Sequence, residues 1–226
     1  MDTACPYLYN GAVELFHLLN RGVEKRAVAL DETDYVRFIH DLYAFNDKKP
    51  VDPNHRFKEF ESAQERKPLV AIHAYCVMPD HYHLLVSEIE EAGISIFMRK
   101  LNMGYAKYFN EKYNRSGVLW QGTFRKVTIQ RDAHFLYIPF YIHLNALDMA
   151  MPEWRDGNVK SVDKALKYLS EYRWSSYLDY IGDKNFPSLL DRELLSDVLG
   201  SAKQQKQTIA DIISNPELAE RATRLE

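Results

Sequence analysis

Cysteine is scarce, with only Cys5 and Cys76 in 226 residues. Two isolated thiols build neither a disulfide framework nor a cysteine-based zinc site, so the expected compartment is a reducing cytoplasm. Long apolar runs are also missing. None approaches the ~20 residues that cross a bilayer. The opening Met1 to Gly11 lacks the basic stretch and apolar run of a secretory signal. No membrane partner is expected. Internal repeats and low-complexity stretches are absent too, which excludes solenoid and fibrous architectures. A surplus of positive charge is lacking as well: the formal net charge is -3, which by itself gives no attraction to phosphates.

What the chain does have is the composition of a globular protein, 46% apolar and 27% charged, with enough length for one core and a small extension. The charge is uneven. Arg99, Lys100, Lys107, Lys112, Arg115, Arg125, Lys126 and Arg131 fall in one window whose only acid is Glu111. That window is the natural place for phosphate contacts.

Val13 to Leu19 reads as a first strand, ending at the turn Asn20-Arg21-Gly22 and a basic loop with Lys25 and Arg26. Acidic capping residues from Asp31 to Asp34 precede Tyr35, Phe38, Ile39, Leu42 and Tyr43 at helical spacing. The polar stretch 47–68 reads as a loop insertion. Leu69 to Val77 and His81 to Val86 form a hairpin around Met78-Pro79-Asp80. A basic amphipathic helix then carries Ile94, Phe97, Leu101, Tyr105 and Phe109. Val118 to Trp120 and Phe124 to Ile129 read as extended, at least one of them a fourth strand. A third helix follows from Asp132 to Leu144, with Pro139 expected to kink it.

The order β-α-β-β-α-β plus a further helix predicts an α+β protein: a ferredoxin-like split β-α-β antiparallel sheet with helices on one face. The expected division is a main domain over 1–181 and an accessory helical tail over 182–226. The tail carries an apolar patch of Leu189, Leu190, Leu194, Leu195, Val198 and Leu199 and a second helix through Ile209, Ile212 and Ile213.

His81 and His83 stand one residue apart on a strand, so both side chains share a face and can converge on one ion. A solvated strand face would show the same pattern. The following Leu84 and Leu85 do not continue a binuclear hydrolase motif, and the chain is too short and wrongly patterned for an amidohydrolase barrel. Tyr137, Tyr141 and Asn145 are four apart on the third helix, which groups a phenol and an amide. Core packing with a capping Asn is the alternative.

Ala74-Tyr-Cys-Val-Met-Pro-Asp-His-Tyr-His-Leu-Leu-Val86 and Phe140-Tyr-Ile-His-Leu-Asn145 resemble the two signatures of single-tyrosine HUH transposases, the insertion sequence 200-like enzymes. Asn20-Arg-Gly22, Leu119-Trp-Gln-Gly-Thr-Phe124 and Tyr172-Arg-Trp-Ser-Ser-Tyr177 resemble the REP-associated tyrosine branch, in the same order. The likeness covers about residues 12 to 181.

The resemblance implies that His81, His83 and Asn145 hold a divalent metal ion, magnesium or manganese. It also implies that Tyr141 attacks a DNA phosphate and that the substrate is single-stranded DNA beside a hairpin. Asp80, Tyr82, Ala146 and Pro139 depart from the family pattern, but no reacting group is lost. Arg21, Lys25, Arg26, Arg99, Lys100, Lys107, Arg125 and Lys126 are the candidates for phosphate contact, and Trp120 for base stacking. His143 is expected to serve packing or phosphate contact rather than the metal. The implied protein is a DNA transposase working as a monomer or homodimer. A domesticated, non-catalytic nucleic-acid-binding protein on the same fold is one alternative, and a hydrolase of small phosphoesters is another.

Overall fold

The computed structural model describes residues 13–50, 66–129 and 132–223. Cys5, Arg131 and most of the expected insertion over 47–68 lie outside them. Four strands make one antiparallel sheet in the order β2-β3-β1-β4: β1 Leu15–Arg21, β2 Val70–Val77, β3 His81–Glu88 and β4 Arg125–Thr128. This is the order produced by two interleaved β-α-β units, with α1 Glu32–Ala44 joining β1 to β2 and α2 Gly93–Lys112 joining β3 to β4.

Local chemistry explains where the elements start. Asp31 caps α1 by accepting from the Asp34 amide at 3.1 Å, and the Asp34 carboxylate accepts from the Asp31 amide at 3.3 Å. Asp34 also takes hydrogen bonds from Lys112 at 2.7 Å, Tyr113 at 2.7 Å and Tyr108 at 2.9 Å. The first turn of α1 is thereby fixed to the end of α2.

Alternation along the strands divides the interior in two. Phe16, Leu18, Tyr82, Leu84 and Val86 face α1 and α2, packing on Phe38, Leu42, Phe97, Leu101 and Tyr105. Leu15, Ala74, Cys76 and Leu85 face the opposite way. There they meet α3, Asp132–Leu144, through Phe135, Ile138 and Ile142. α1 and α2 take the single face expected for the split arrangement. The other face, which that expectation left open, is covered by α3 and the elements after it. All eight residues of β2 are buried as a result.

α3 is continuous through Pro139, which can donate no N–H to the preceding turn. After it come 3-10 turns at Asn145–Met149 and Pro152–Asp156, then α4 Val162–Glu171, α5 Tyr177–Ile181, α6 Glu193–Leu199, α7 Ala202–Ser214 and α8 Pro216–Thr223. Leu195, Leu199, Ile209, Ile212 and Ile213 join α3 and Trp154 in one core. Buried aliphatic and aromatic side chains of this kind each contribute ~1.5–3 kcal/mol. Among the described residues no helix is long and apolar enough to cross a membrane.

Candidate active site

The register of β1 against β3 sets Leu19 opposite His83 and Arg21 opposite His81. Side chains directly across a ladder share a face. His17, Arg21, His81 and His83 therefore all project toward α3, and Tyr141 descends from α3 to meet them. The Tyr141 ring stands edge-on to His83, with centroids 5.7 Å apart at 90°, and to His17 at 5.9 Å and 77°. His81 and His83 lie 5.0 Å apart, centroid to centroid. The structure thus brings together the three residues in which the sequence placed the chemistry. Tyr141 is 0% exposed.

Each metal-candidate histidine is held by a neighbour. His81 Nδ1 is 2.5 Å from Asp80 Oδ1, and Asp80 also accepts from Arg21 Nε at 2.8 Å. Burial pushes the Asp80 carboxyl up, but hydrogen bonds and charge from His81 and Arg21 outweigh it and bring the group down to about 2. The departure from the family pattern at Asp80 therefore supplies an anion that orients His81. His83 Nδ1 lies 2.9 Å from His17 Nε2. Burial first, then the charges of His17, His81, Arg155 and Arg21, hold His83 well below the usual imidazole range. The neutral ring this leaves is the form that binds metals.

His83 Nε2 is buried and has no hydrogen-bond partner. An unpartnered imidazole nitrogen beside a second imidazole fits a divalent cation. Among the described residues, no three His, Cys, Asp or Glu side chains form a group able to hold a metal. Among the described residues, a third protein ligand would have to be of another kind, such as an amide.

Asn145 is buried at the first position of the 3-10 turn after α3. Its Nδ2 donates to the Tyr141 carbonyl at 2.7 Å, and its Oδ1 accepts from Arg155 Nη2 at 2.9 Å. Both its polar atoms are thus engaged within the protein. Arg155 was not singled out in the sequence. It pairs with Asp148 at 2.7 Å, lies 5.7 Å from the Tyr141 ring centre and 4.8 Å from that of Trp154. Burial lowers its pKa, but Asp148 and the Tyr141 phenol more than reverse this, so the guanidinium stays charged. No periodic signal marks Arg155, because it sits in a short 3-10 turn. His17, also passed over, could have been found from the period-2 alternation that puts it on the same face as Leu15.

The phosphate candidates separate by face. Arg125 lies opposite Leu19 and so projects to the Tyr141 side, whereas Lys126 lies opposite Leu18. Lys126 stacks on Phe16, its Nζ 3.8 Å from the ring centre. The loop carrying Lys25 and Arg26 is tied to the β2–β3 turn and to the segment before β4. Gly22 N donates to Asp80 O at 2.8 Å, Val23 N to Leu119 O at 2.9 Å and Gln121 N to Arg21 O at 2.8 Å. A Cβ at Gly22 would sit 2.3 Å from Arg26 O, so only glycine fits.

Arg99 and Lys107 are exposed on α2, across the sheet from Tyr141, and Lys107 pairs with Glu111 at 3.7 Å. Lys100 folds back onto the carbonyls of Asp47 and Lys49. Trp120 is 8% exposed, donates to Asn102 O at 3.0 Å and packs on Tyr82 and Tyr105. His143 is buried against Ser176 Oγ at 2.9 Å, which gives it a packing place.

Residues 48–145 match the family described as "Transposase IS200 like". A solved REP-associated tyrosine transposase bound to a REP hairpin is similar at 16% identity, over 77% of this chain and 82% of that one, with a TM-score of 0.48. No curated protein matches the chain.

Proposed function

We propose, from the match of residues 48–145 to the IS200-like transposase family, that the protein is a DNA transposase that cuts and rejoins a single strand through Tyr141. The observation that supports this most is the placement of the Tyr141 ring edge-on to His83, 5.7 Å away, with His81 5.0 Å from His83.

In this reading Tyr141 loses its phenolic proton and its oxygen attacks the phosphorus of a DNA phosphodiester as the bond to the 3′ oxygen breaks. The 3′ oxygen takes up a proton and leaves as a hydroxyl, while the 5′ phosphate stays on the phenol. That covalent bond conserves the phosphodiester energy, so a DNA hydroxyl can later displace Tyr141 without a nucleotide cofactor. A divalent cation, magnesium or manganese, supplies charge neutralisation on the non-bridging oxygens when bound. His81 and His83 would hold it through their Nε2 atoms, and Asn145 Oδ1, which accepts from Arg155 with one lone pair, has a second with which to join.

The chain's own residues supply the rest. A free phenol has a pKa near ~10, and the Arg155 guanidinium is placed to stabilise the developing phenolate. Arg21 and Arg125 share the site's face, and Lys25 and Arg26 extend it along the tied loop as a path for phosphates. A strand beside a hairpin is the substrate that the sequence motifs imply.

The test is to incubate the protein with end-labelled hairpin-bearing single-stranded DNA and Mn2+, denature, and map any adduct. The expected result is a covalent complex at Tyr141 that Tyr141→Phe abolishes. Binding without an adduct would favour the non-catalytic alternative, and an adduct at Tyr137 would move the nucleophile one turn back.

A further inference from the structure

His17 is the third imidazole beneath α3, and the proposed cleavage chemistry does not use it. It is fully buried and stacked on His83, with ring centroids 5.1 Å apart and planes 19° from parallel. An apolar ring would fill such a space equally well. What packing does not explain is the direction of the contact, because Nε2 of His17 meets Nδ1 of His83 at 2.9 Å.

An imidazole that ligates through Nε2 carries its proton on Nδ1, and a buried Nδ1–H needs an acceptor. For His81 that acceptor is Asp80. For His83 the partner found at Nδ1 is His17. The opposite tautomer would put the hydrogen on His83 Nε2 and so close that nitrogen to an ion. A carboxylate behind His83 would have to be desolvated, since the His83 ring is only 1% exposed. A neutral imidazole accepts the proton without burying a charge.

We propose that His17 is a positioning residue that accepts the Nδ1–H of His83 and so fixes the tautomer whose Nε2 faces a divalent cation. The proposal rests on the reading of His81 and His83 as the ion's ligands. The two ligands then have different supports, an anion bridged to Arg21 behind His81 and a neutral ring behind His83.

The test has two arms on the full-length chain. In the metal-free protein, long-range 15N–1H NMR of the histidine rings reads the tautomer directly, and His83 is expected as Nδ1–H. In the second arm Mn2+ alone is titrated by calorimetry into the native protein, His17→Phe and His17→Gln. His17→Phe keeps the ring and removes the acceptor, so Mn2+ affinity should fall about 10- to 100-fold. His17→Gln, whose amide oxygen can accept, should recover part of that loss. A native His83 in the Nε2–H form overturns the proposal even if neither variant folds. Native-like Mn2+ affinity in a folded His17→Phe also overturns it while leaving the ion site standing. A native protein that takes up no Mn2+ removes the ion reading itself, and the proposal with it.

Discussion

The side-chain amide of Asn145 donates to the main-chain carbonyl of Tyr141 at 2.7 Å, one helical turn back. The end of α3 thereby gains a side-chain donor. Asn145 Oδ1 in turn accepts from Arg155, and Arg155 is clamped by two hydrogen bonds to Asp148, at 2.9 and 2.7 Å. The end of α3 and the guanidinium beside the Tyr141 phenol therefore form one hydrogen-bonded unit.

Arg155→Ala should uncouple that unit. Asp148 and Asn145 are each deprived of a partly buried partner, which costs about 1–3 kcal/mol of stability, and adduct formation should slow by about 10²-fold or more. Arg155→Lys keeps the charge but not the fork, so it should recover stability better than rate. Urea titration and single-turnover adduct assays measure the two effects. Adduct formation at the native rate in a folded Arg155→Ala would take Arg155 out of the chemistry.

Arg125 and Lys126 are neighbours in sequence that lie on opposite faces of the sheet. Arg125→Glu should weaken single-strand binding and flatten the logarithmic salt slope by about 0.7 for each phosphate that is no longer neutralised. Lys126→Glu should do less, because the native Lys126 ammonium is spent on the Phe16 ring. Fluorescence titrations across a salt series make the comparison. Equal effects from the two variants would show that the DNA does not follow the Tyr141 face.

Trp120 was the sequence's candidate for base stacking, yet its ring packs against Tyr82, Tyr105 and Phe38. Trp120→Ala should destabilise the fold by about 3–5 kcal/mol, whereas Trp120→Phe should fold and bind single strands with unchanged affinity. A large drop in affinity in a stable Trp120→Phe would restore the stacking role.

His143 should make the fold acid-sensitive. Burial lowers its pKa to about 3, while an unfolded histidine titrates near ~6.5. Between those values the unfolded chain binds the extra proton, so stability is retained above about pH 6.5 and falls as the pH drops toward 3, by about 1.4 kcal/mol per pH unit for this group. His143→Gln should reduce that slope by one proton. Parallel urea titrations from pH 7 to pH 4 check it, and identical slopes for the two proteins would contradict it.

The elements with a strong local period were legible in the sequence. Short apolar, β-prone runs bounded by turn residues located β1, β2 and β3, and Asp31 and Asp34 marked the start of α1. Long-range pairing was harder to read. Val118 to Trp120 and Phe124 to Ile129 are equally extended in sequence. Arg125–Thr128 pairs as a strand with β1, whereas the first segment makes an isolated bridge from Trp120 to Gly22, flanked by bonds of Leu119 to Val23 and Gln121 to Arg21. Lys100 looked like an available cation on a basic helix, but carbonyls 53 and 51 residues away, in the connection between α1 and β2, claim its ammonium. His81, His83 and Tyr141 could be nominated because each sits in a compact motif, and the fold brings them together. His17 and Arg155 were missed because their roles exist only after β1 meets β3 and the 3-10 turn folds under α3.

That dependence on distant partners sets a sequence of events during synthesis. His17 and His83 are 66 residues apart, and pairings of such separation form slowly. The two strands bearing them can be made before the phenol exists, since α3 is translated later and shares its core with α6 and α7, later still. A nascent or prematurely ended chain would thus carry the imidazoles without a nucleophile held over them. In the proposed reading, the ability to break DNA is conferred only after α3 and the helices that share its core have been made.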